Sequence, residues 1–371
     1  MEMESAVRAR YSQGAKVKQD ALCCPVDYDA SLLELLPAEI IEKDYGCGDP
    51  SRYVRNGDTV LDLGSGSGKV CYMAAQLVGE QGQVIGIDMN DDMLSLAEKY
   101  RNDMAARIGG DRVRFLKGKI QDLALDIRQM EEWLTQNPVH SHDDLVSLYE
   151  WQEKQRKERP LIQDASVDLV ISNCVLNLVS DEDKDSLVRE IYRVVKPGGR
   201  IAISDIICDE LVPEQLKQDE TLWSGCISGA FHEREILLKL LDAGFVAITI
   251  DKWSAEPWQV VEGIEFRSAI ITATRPEATE CIDQGHAVIY RGPFSYVRDD
   301  EGHEYLRGER MAVCERTFRL MTEGPYSEHF IGIKPQTLLS PKKWCAPSGT
   351  IRTVSETKGC THTNSSGSSC C

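Results

Sequence analysis

Three cysteines stand where they could do chemistry: Cys47 in Tyr45-Gly46-Cys47-Gly48, Cys174 in Ser172-Asn173-Cys174-Val175, and Cys226 in Ser224-Gly225-Cys226-Ile227. A thiolate is a soft nucleophile and a soft ligand. Glycines beside Cys47 and Cys226 suit loops that carry a side chain into a neighbouring cleft. Cys174 follows Asn173 at the end of the apolar run Val167 to Ser172, which reads as a strand, and open α/β sheets bind their ligands at the carboxyl ends of strands. If these thiolates converge on a methyl donor, the acceptor they hold is soft and thiophilic.

The methyl donor is inferred from Thr59-Val60-Leu61-Asp62-Leu63-Gly64-Ser65-Gly66-Ser67-Gly68, an apolar strand running into a glycine loop that opens a helix at Lys69. This is the first strand of a Rossmann-like unit. Gly64, Gly66 and Gly68 are spaced G-x-G-x-G, without the extra residue of the dinucleotide pattern, which favours S-adenosylmethionine over a nicotinamide dinucleotide. Asp62 is placed to hold the ammonium group. The next strand, Gln83 to Asp88, ends in a carboxylate whose two oxygens can take both ribose hydroxyls, and Met89 would lie against adenine. Val113 to Leu116 reads as strand three, with Ile120 and Gln121 at the adenine edge, and Val167 to Asn173 as strand four. Val194 to Asp205 closes a helix, turns on Pro197-Gly198-Gly199 and enters strand five.

The 371 residues carry a net charge of −18, so the basic surface that phosphate neutralisation requires is missing and nucleic acid is excluded as a partner. No apolar run of membrane-spanning length occurs, and no apolar run follows the basic residues near the start, so a membrane association and a signal peptide are not expected. Thirteen cysteines without such a leader read as mostly reduced thiols in a cytoplasmic protein. The close cysteine pairs, Cys23-Cys24 and Cys370-Cys371, are adjacent, and the lack of any C-x-x-C spacing speaks against a local structural zinc site.

The expected organisation is a helical N-terminal segment over 1–56, carrying Cys23, Cys24 and Cys47, and a Rossmann-like cofactor domain over 57–208. A substrate-binding region with late strands follows over 209–280, then a small α+β unit over 281–344 and a disordered tail over 345–371. The charged stretch Leu125 to Pro160 reads as two helices broken at Asn137-Pro138, the second opened by Ser141. Cys71, Cys208 and Cys314 have apolar neighbours and read as buried packing residues; Cys281, Cys345 and Cys360 carry no signal.

The chain resembles the arsenite S-adenosylmethionine methyltransferases in four places: Tyr45 to Pro50; Asp62 to Gly68 continuing into Cys71-Tyr72; Ser172-Asn173-Cys174-Val175-Leu176-Asn177-Leu178-Val179; and Ser224-Gly225-Cys226-Ile227-Ser228-Gly229-Ala230. The likeness spans roughly residues 40 to 275. It implies that Cys174 and Cys226 hold trivalent arsenic, with Cys47 as a third thiolate. It further implies a redox partner for Cys47 upstream, matched by Cys23 or Cys24, and a thiol reductant, thioredoxin or glutathione, for recycling. For the cofactor it points to Tyr45, Gly64, Asp88, Met89, Ile120, Gln121 and Asn173. Lys69-Val70 stand where Arg-Asp is common, and Gln121 where an acid is common. Arsenite and methylarsenite are then the substrates and detoxification the outcome. Two other classes fit parts of the pattern: a thiol-rich protein that sequesters arsenic or heavy metals, and a methyltransferase of an ordinary small metabolite, for which no convincing base can be placed near the methyl.

Overall fold

The computed structural model describes residues 2–19 and 26–358; Cys23, Cys24, Cys360, Cys370 and Cys371 lie outside the described residues. The chain forms two compact units, Met1–Pro276 and Glu277–Cys371.

The first unit is built on nine strands: β1 (Thr59–Leu63), β2 (Gln83–Asp88), β3 (Val113–Lys117), β4 (Val167–Asn173), β5 (Val195–Cys208), β6 (Phe231–His232), β7 (Val246–Trp253), β8 (Gln259–Val261) and β9 (Ile264–Thr274). Their main order is β3-β2-β1-β4-β5-β9-β7, with β6 on β5 and β8 on β9. Strands β1 to β5 pair in parallel, while β9 runs antiparallel to β5 and β7. The chain moves from β1 outward to β2 and later returns to place β4 on the other side of β1. The crevice beyond β1 and β4 is therefore the topological switch point where such sheets bind ligands.

The central strands are apolar almost throughout because both faces are covered. Successive residues point to opposite faces: Leu61 and Leu63 join one core cluster with Ile85, Ile87 and Val170, whereas Val60 joins another with Val84, Leu169 and Ile171. A third cluster gathers Cys47, Cys174, Cys208 and Cys226 with Ile206, Ile227 and Phe266. The excursion after β3 is two helices, Ile127–Gln136 and His142–Glu158, the latter opened by Ser141 in a reciprocal capping box with Asp144. Trp133 and Trp151 stack across the pair at 5.5 Å.

Pro197-Gly198-Gly199 does not make a turn ahead of strand five; it lies inside β5. The register jumps there from Val167 opposite Val195 to Leu169 opposite Arg200, so the extra residues bulge out of an otherwise continuous strand.

The second unit has short strands: β10 (Ile282–Asp283), β11 (Ala287–Tyr290), β12 (Tyr296–Arg298), β13 (Glu304–Leu306), β14 (Arg310–Ala312), β15 (Phe330–Ile333) and β16 (Lys342–Lys343), with a helix over Glu315–Glu323. A second, short helix spans Val354–Lys358, and the strands form a sheet β14-β11-β15, a hairpin β12-β13 and a pair β10-β16 around Val288, Tyr290, Tyr305, Phe318, Met321 and Phe330. The tail expected to be disordered from residue 345 is ordered as far as Lys358. Ala312 donates to the Thr350 carbonyl at 2.8 Å, and buried Arg352 pairs with Asp283 at 2.8 Å. A buried ion pair and edge hydrogen bonds hold a segment whose Ser, Thr and Gly content alone reads as unstructured.

Candidate active site

The carboxyl ends of β1, β2 and β4 open on a cavity of about 380 Å³, within the range of small-molecule sites. Tyr45, Asp62, Gly64, Gly66, Asp88, Met89, Ile120, Gln121 and Asn173 all line it. Gly68 does not. It caps the helix Lys69–Leu77 at φ 84°, and a Cβ there would meet the Phe115 ring, so its glycine serves the turn and the helix packing.

Asp62 is 2 % exposed, and the Cys71 thiol approaches it at 3.2 Å. Burial pushes its carboxyl up to about 7. A desolvated carboxylate facing a cavity is a fitting seat for an ammonium group. Asp88 accepts from the Gly66 amide at 2.9 Å through one oxygen and from the Asn90 amide at 2.8 Å through the other; each oxygen keeps a second lone pair for a vicinal diol. Burial raises its pKa. The glycine loop, the two carboxylates and the apolar Met89 and Ile120 thus fit S-adenosylmethionine.

Asn173 does more than line the cavity. Its Oδ1 accepts from the amides of Cys47 at 2.9 Å and Gly48 at 3.2 Å, and its Nδ2 donates to the Gly48 carbonyl at 2.8 Å and to the Tyr28 hydroxyl at 3.1 Å. The side chain is committed to pinning the Cys47 loop. A Cβ on Gly46 would collide with the Asn173 amide, and one on Gly48 with the Ser204 hydroxyl, which is why glycine flanks Cys47 on both sides. Lys69, at a position where the resemblance marks a departure, is buried beneath the same corner, paired with Asp44 at 2.5 Å and set 3.7 Å over the Tyr28 ring.

That clamp brings Cys47 against Cys174. The two are joined as a disulfide, with Cα atoms 5.9 Å apart although 127 residues separate them. The recycling bond expected between Cys47 and Cys23 or Cys24 involves two cysteines that lie outside the described residues; among the described residues the Asn173 clamp sets Cys47 on Cys174, the residue that follows Asn173. Cys226 arrives from the turn after the helix Glu220–Ser224, its Sγ donating to the Cys174 carbonyl at 3.1 Å. The Tyr11 hydroxyl lies 3.9 Å from the same sulfur. Cys174, at φ 57°, and Cys226, at φ 61°, adopt left-handed backbone; they are two of the five non-glycine residues that do so among the described residues. Such conformations cost about 1–3 kcal/mol each and persist where the surroundings impose them.

Asp205 was not singled out from the sequence. Its carboxylate lies with the Cys47 and Cys174 sulfurs, the three donor atoms all within 4.8 Å of one another. Burial pushes it up to about 7. One oxygen accepts from the Leu176 amide at 2.9 Å and the other from the Ile206 amide at 2.8 Å, fixing the turn after Cys174. The available signal was its place at the carboxyl end of a central strand. The helix Glu2–Lys16 was also underrated. It lies over the cavity through Val7, Arg8 and Tyr11 and ties both halves together: Asn90 donates to the Arg8 carbonyl at 3.0 Å, and Arg10 to Ser224 Oγ at 2.8 Å.

The signature of a methyltransferase domain matches residues 55–158 and 149–254, and that of a domain family of unknown function matches 277–362. The chain is 33 % identical to an arsenite methyltransferase of Aquipseudomonas alcaligenes over 81 % of its own length and 80 % of that protein's. It is 29 % identical to the arsenite methyltransferase of Mus musculus over 82 % and 74 % respectively. Among solved structures it is similar to an arsenic(III) S-adenosylmethionine methyltransferase from Chlamydomonas reinhardtii, with a TM-score of 0.57 and 27 % identity, covering 85 % of this chain and 99 % of that one.

Proposed function

The chain belongs to the arsenite methyltransferase family, and on that premise we propose that Cys47, Cys174 and Cys226 together grip trivalent arsenic beside the cofactor cavity. The enzyme methylates arsenic with S-adenosylmethionine. The observation that supports the assignment of ligands is the convergence of three cysteines from distant segments at one corner: Cys47 bonded to Cys174, and the Cys226 sulfur on the Cys174 carbonyl.

S-adenosylmethionine supplies an electrophilic methyl group when bound. Asp62 holds its ammonium group, Asp88 its ribose hydroxyls, and Met89 and Ile120 its base. The cysteines do the rest. Three thiolates on one side of arsenic(III) leave its lone pair projecting from the other, toward the cavity that Cys174 lines. No general base is required, since the attacking atom carries no proton; the protein supplies position and exclusion of water. A singly methylated arsenic has one coordination position fewer, so Cys174 and Cys226 suffice for it.

Methyl transfer takes arsenic formally to the pentavalent level. Two thiolates return the two electrons and become a disulfide. The Cys47–Cys174 pair is placed to form such a bond, and while it persists two arsenic ligands are unavailable. Cys23 or Cys24 can take over the bond to Cys47 by thiol exchange, freeing Cys174, and a thioredoxin-type reductant or glutathione then clears it. This chemistry needs a reducing compartment, which supports a cytoplasmic site of action and a detoxifying role. Among the described residues no helix is long and apolar enough to cross a membrane.

The test is to incubate the protein with arsenite, S-adenosylmethionine and thiol reductant and to speciate arsenic over time. Methylated species whose formation stops in Cys226→Ser support the reading; bound but unmethylated arsenite would indicate sequestration instead.

A further inference from the structure

Three cysteines and a histidine that the active site does not use meet in the C-terminal unit. Cys281 precedes β10 and Cys345 follows β16. The antiparallel pairing of Ile282 with Lys343, closed by the Trp344 amide on the Cys281 carbonyl at 2.9 Å, puts Cys281 opposite Trp344, the residue before Cys345. Cys314 is the N-cap residue of the helix Glu315–Glu323, its Sγ 3.3 Å from Thr317 Oγ1. His303 lies in the turn between β12 and β13. The Cys281 thiol lies near enough to Cys314 and Cys345 to feel both electrostatically, Cys345 Sγ is 3.7 Å from His303 Nε2, and His303, Cys314 and Cys345 line one small hollow. Behind the imidazole, Nδ1 faces Asp299 Oδ2 at 3.0 Å, and that oxygen also accepts from the Tyr305 hydroxyl at 2.9 Å.

We propose that Cys281, Cys314, Cys345 and His303 form a structural zinc site that ties together the C-terminal unit. Three sulfurs and one imidazole nitrogen are a closed tetrahedral zinc set with no position left for substrate. A carboxylate behind the histidine is the usual outer partner that orients such a ligand. Trivalent arsenic, by contrast, would use the sulfurs and leave the imidazole idle. The donors form an open chain, Cys314 to Cys281 to Cys345 to His303; among the described residues the three-donor group within 4.8 Å is that of Cys47, Cys174 and Asp205. Binding therefore closes the chain by side-chain rotation. The need is physical. Strands of two to four residues around eight buried side chains make a small core, and small units gain stability from a metal clip.

The test is the metal content of the full-length protein, produced with added zinc and dialysed against metal-free buffer containing reductant. The expected result is about one zinc per chain in the unaltered protein and in Cys47→Ser, with most of it lost in Cys281→Ser and part of it in His303→Ala. If Cys281→Ser does not fold, cobalt(II) exchanged into the unaltered protein decides: tetrahedral thiolate-to-cobalt absorption that weakens in His303→Ala supports the site. No retained zinc in the unaltered protein, full retention in both His303→Ala and Cys281→Ser, or binding of arsenite to these thiols to the exclusion of zinc would each overturn it.

Discussion

Replacing Asn173 by alanine separates two roles that share one residue. The side chain makes four hydrogen bonds at 2.8 to 3.2 Å, three of them to the backbone of the Cys47 loop. Truncation leaves the Cys47 and Gly48 amides and the Gly48 carbonyl without their partner. Each unsatisfied buried group costs roughly 1–3 kcal/mol, and with partial replacement by water the loop loses about 2–4 kcal/mol of its preference for the clamped position. At 1.4 kcal/mol per factor of ten, that is roughly a 30- to 700-fold fall in the clamped population relative to alternatives. If Cys47 serves arsenite and not methylarsenite, as proposed, kcat/KM for arsenite should fall by at least about tenfold, while that for methylarsenite falls less than about threefold. Affinity for S-adenosylmethionine, read by calorimetry, should change less than about threefold, since the side chain is committed to the loop. A tenfold or greater loss of cofactor affinity with an unchanged ratio of the two arsenical activities would refute the clamp and return Asn173 to the role of a plain cofactor contact.

Cys174→Ser and Cys226→Ser should each abolish methylation of both arsenicals, whereas Cys47→Ser should lose arsenite and keep methylarsenite; a Cys47→Ser enzyme that treats both as the unaltered protein does would remove Cys47 from the site. Non-reducing peptide mapping of protein kept without reductant should recover a cross-link joining the peptides of Cys47 and Cys174 or, after exchange, of Cys47 and Cys23 or Cys24, and arsenite binding should appear only after reduction; a Cys47 that stays a free thiol without reductant would contradict the arrangement. Asp62 titrates near 7 when folded against 3.8 for an ordinary carboxyl, so its protonated form stabilises the fold at low pH and that contribution is lost as pH rises through 7. An ammonium ligand favours the ionised form, so S-adenosylmethionine should raise Tm more at pH 8 than at pH 6, and Asp62→Asn should flatten that difference; an equal shift at both pH values in the unaltered protein would place the ammonium elsewhere.

Local patterns were legible wherever the physics is local. The strand β1, its glycine loop and Asp88 at the end of β2 follow from apolar runs ended by turn chemistry, and Ser141 with Asp144 announced a helix start. Gly68 misled because a glycine spacing does not say which glycine faces a ligand and which merely admits Phe115. A helical N-terminal segment was expected, but its place over the cavity was missed, as was Asp205, because the importance of both lies in what they touch and not in what surrounds them in the chain. The ordered stretch up to Lys358 depends on Arg352 reaching Asp283, a contact across 69 residues.

The sequence by itself determined the cofactor half of this protein, since a nucleotide-type cleft is made by consecutive residues of βα units whose spacing is fixed by backbone geometry. It also marked Cys174 and Cys226 as candidates. Only the tertiary structure decided which sulfurs meet: Cys47 with Cys174 through the Asn173 clamp, and Cys345 against His303 with Cys314 in the same hollow, which no spacing rule groups together. Ligand sets assembled from remote segments are specified by packing and register, and a one-dimensional pattern carries no record of either.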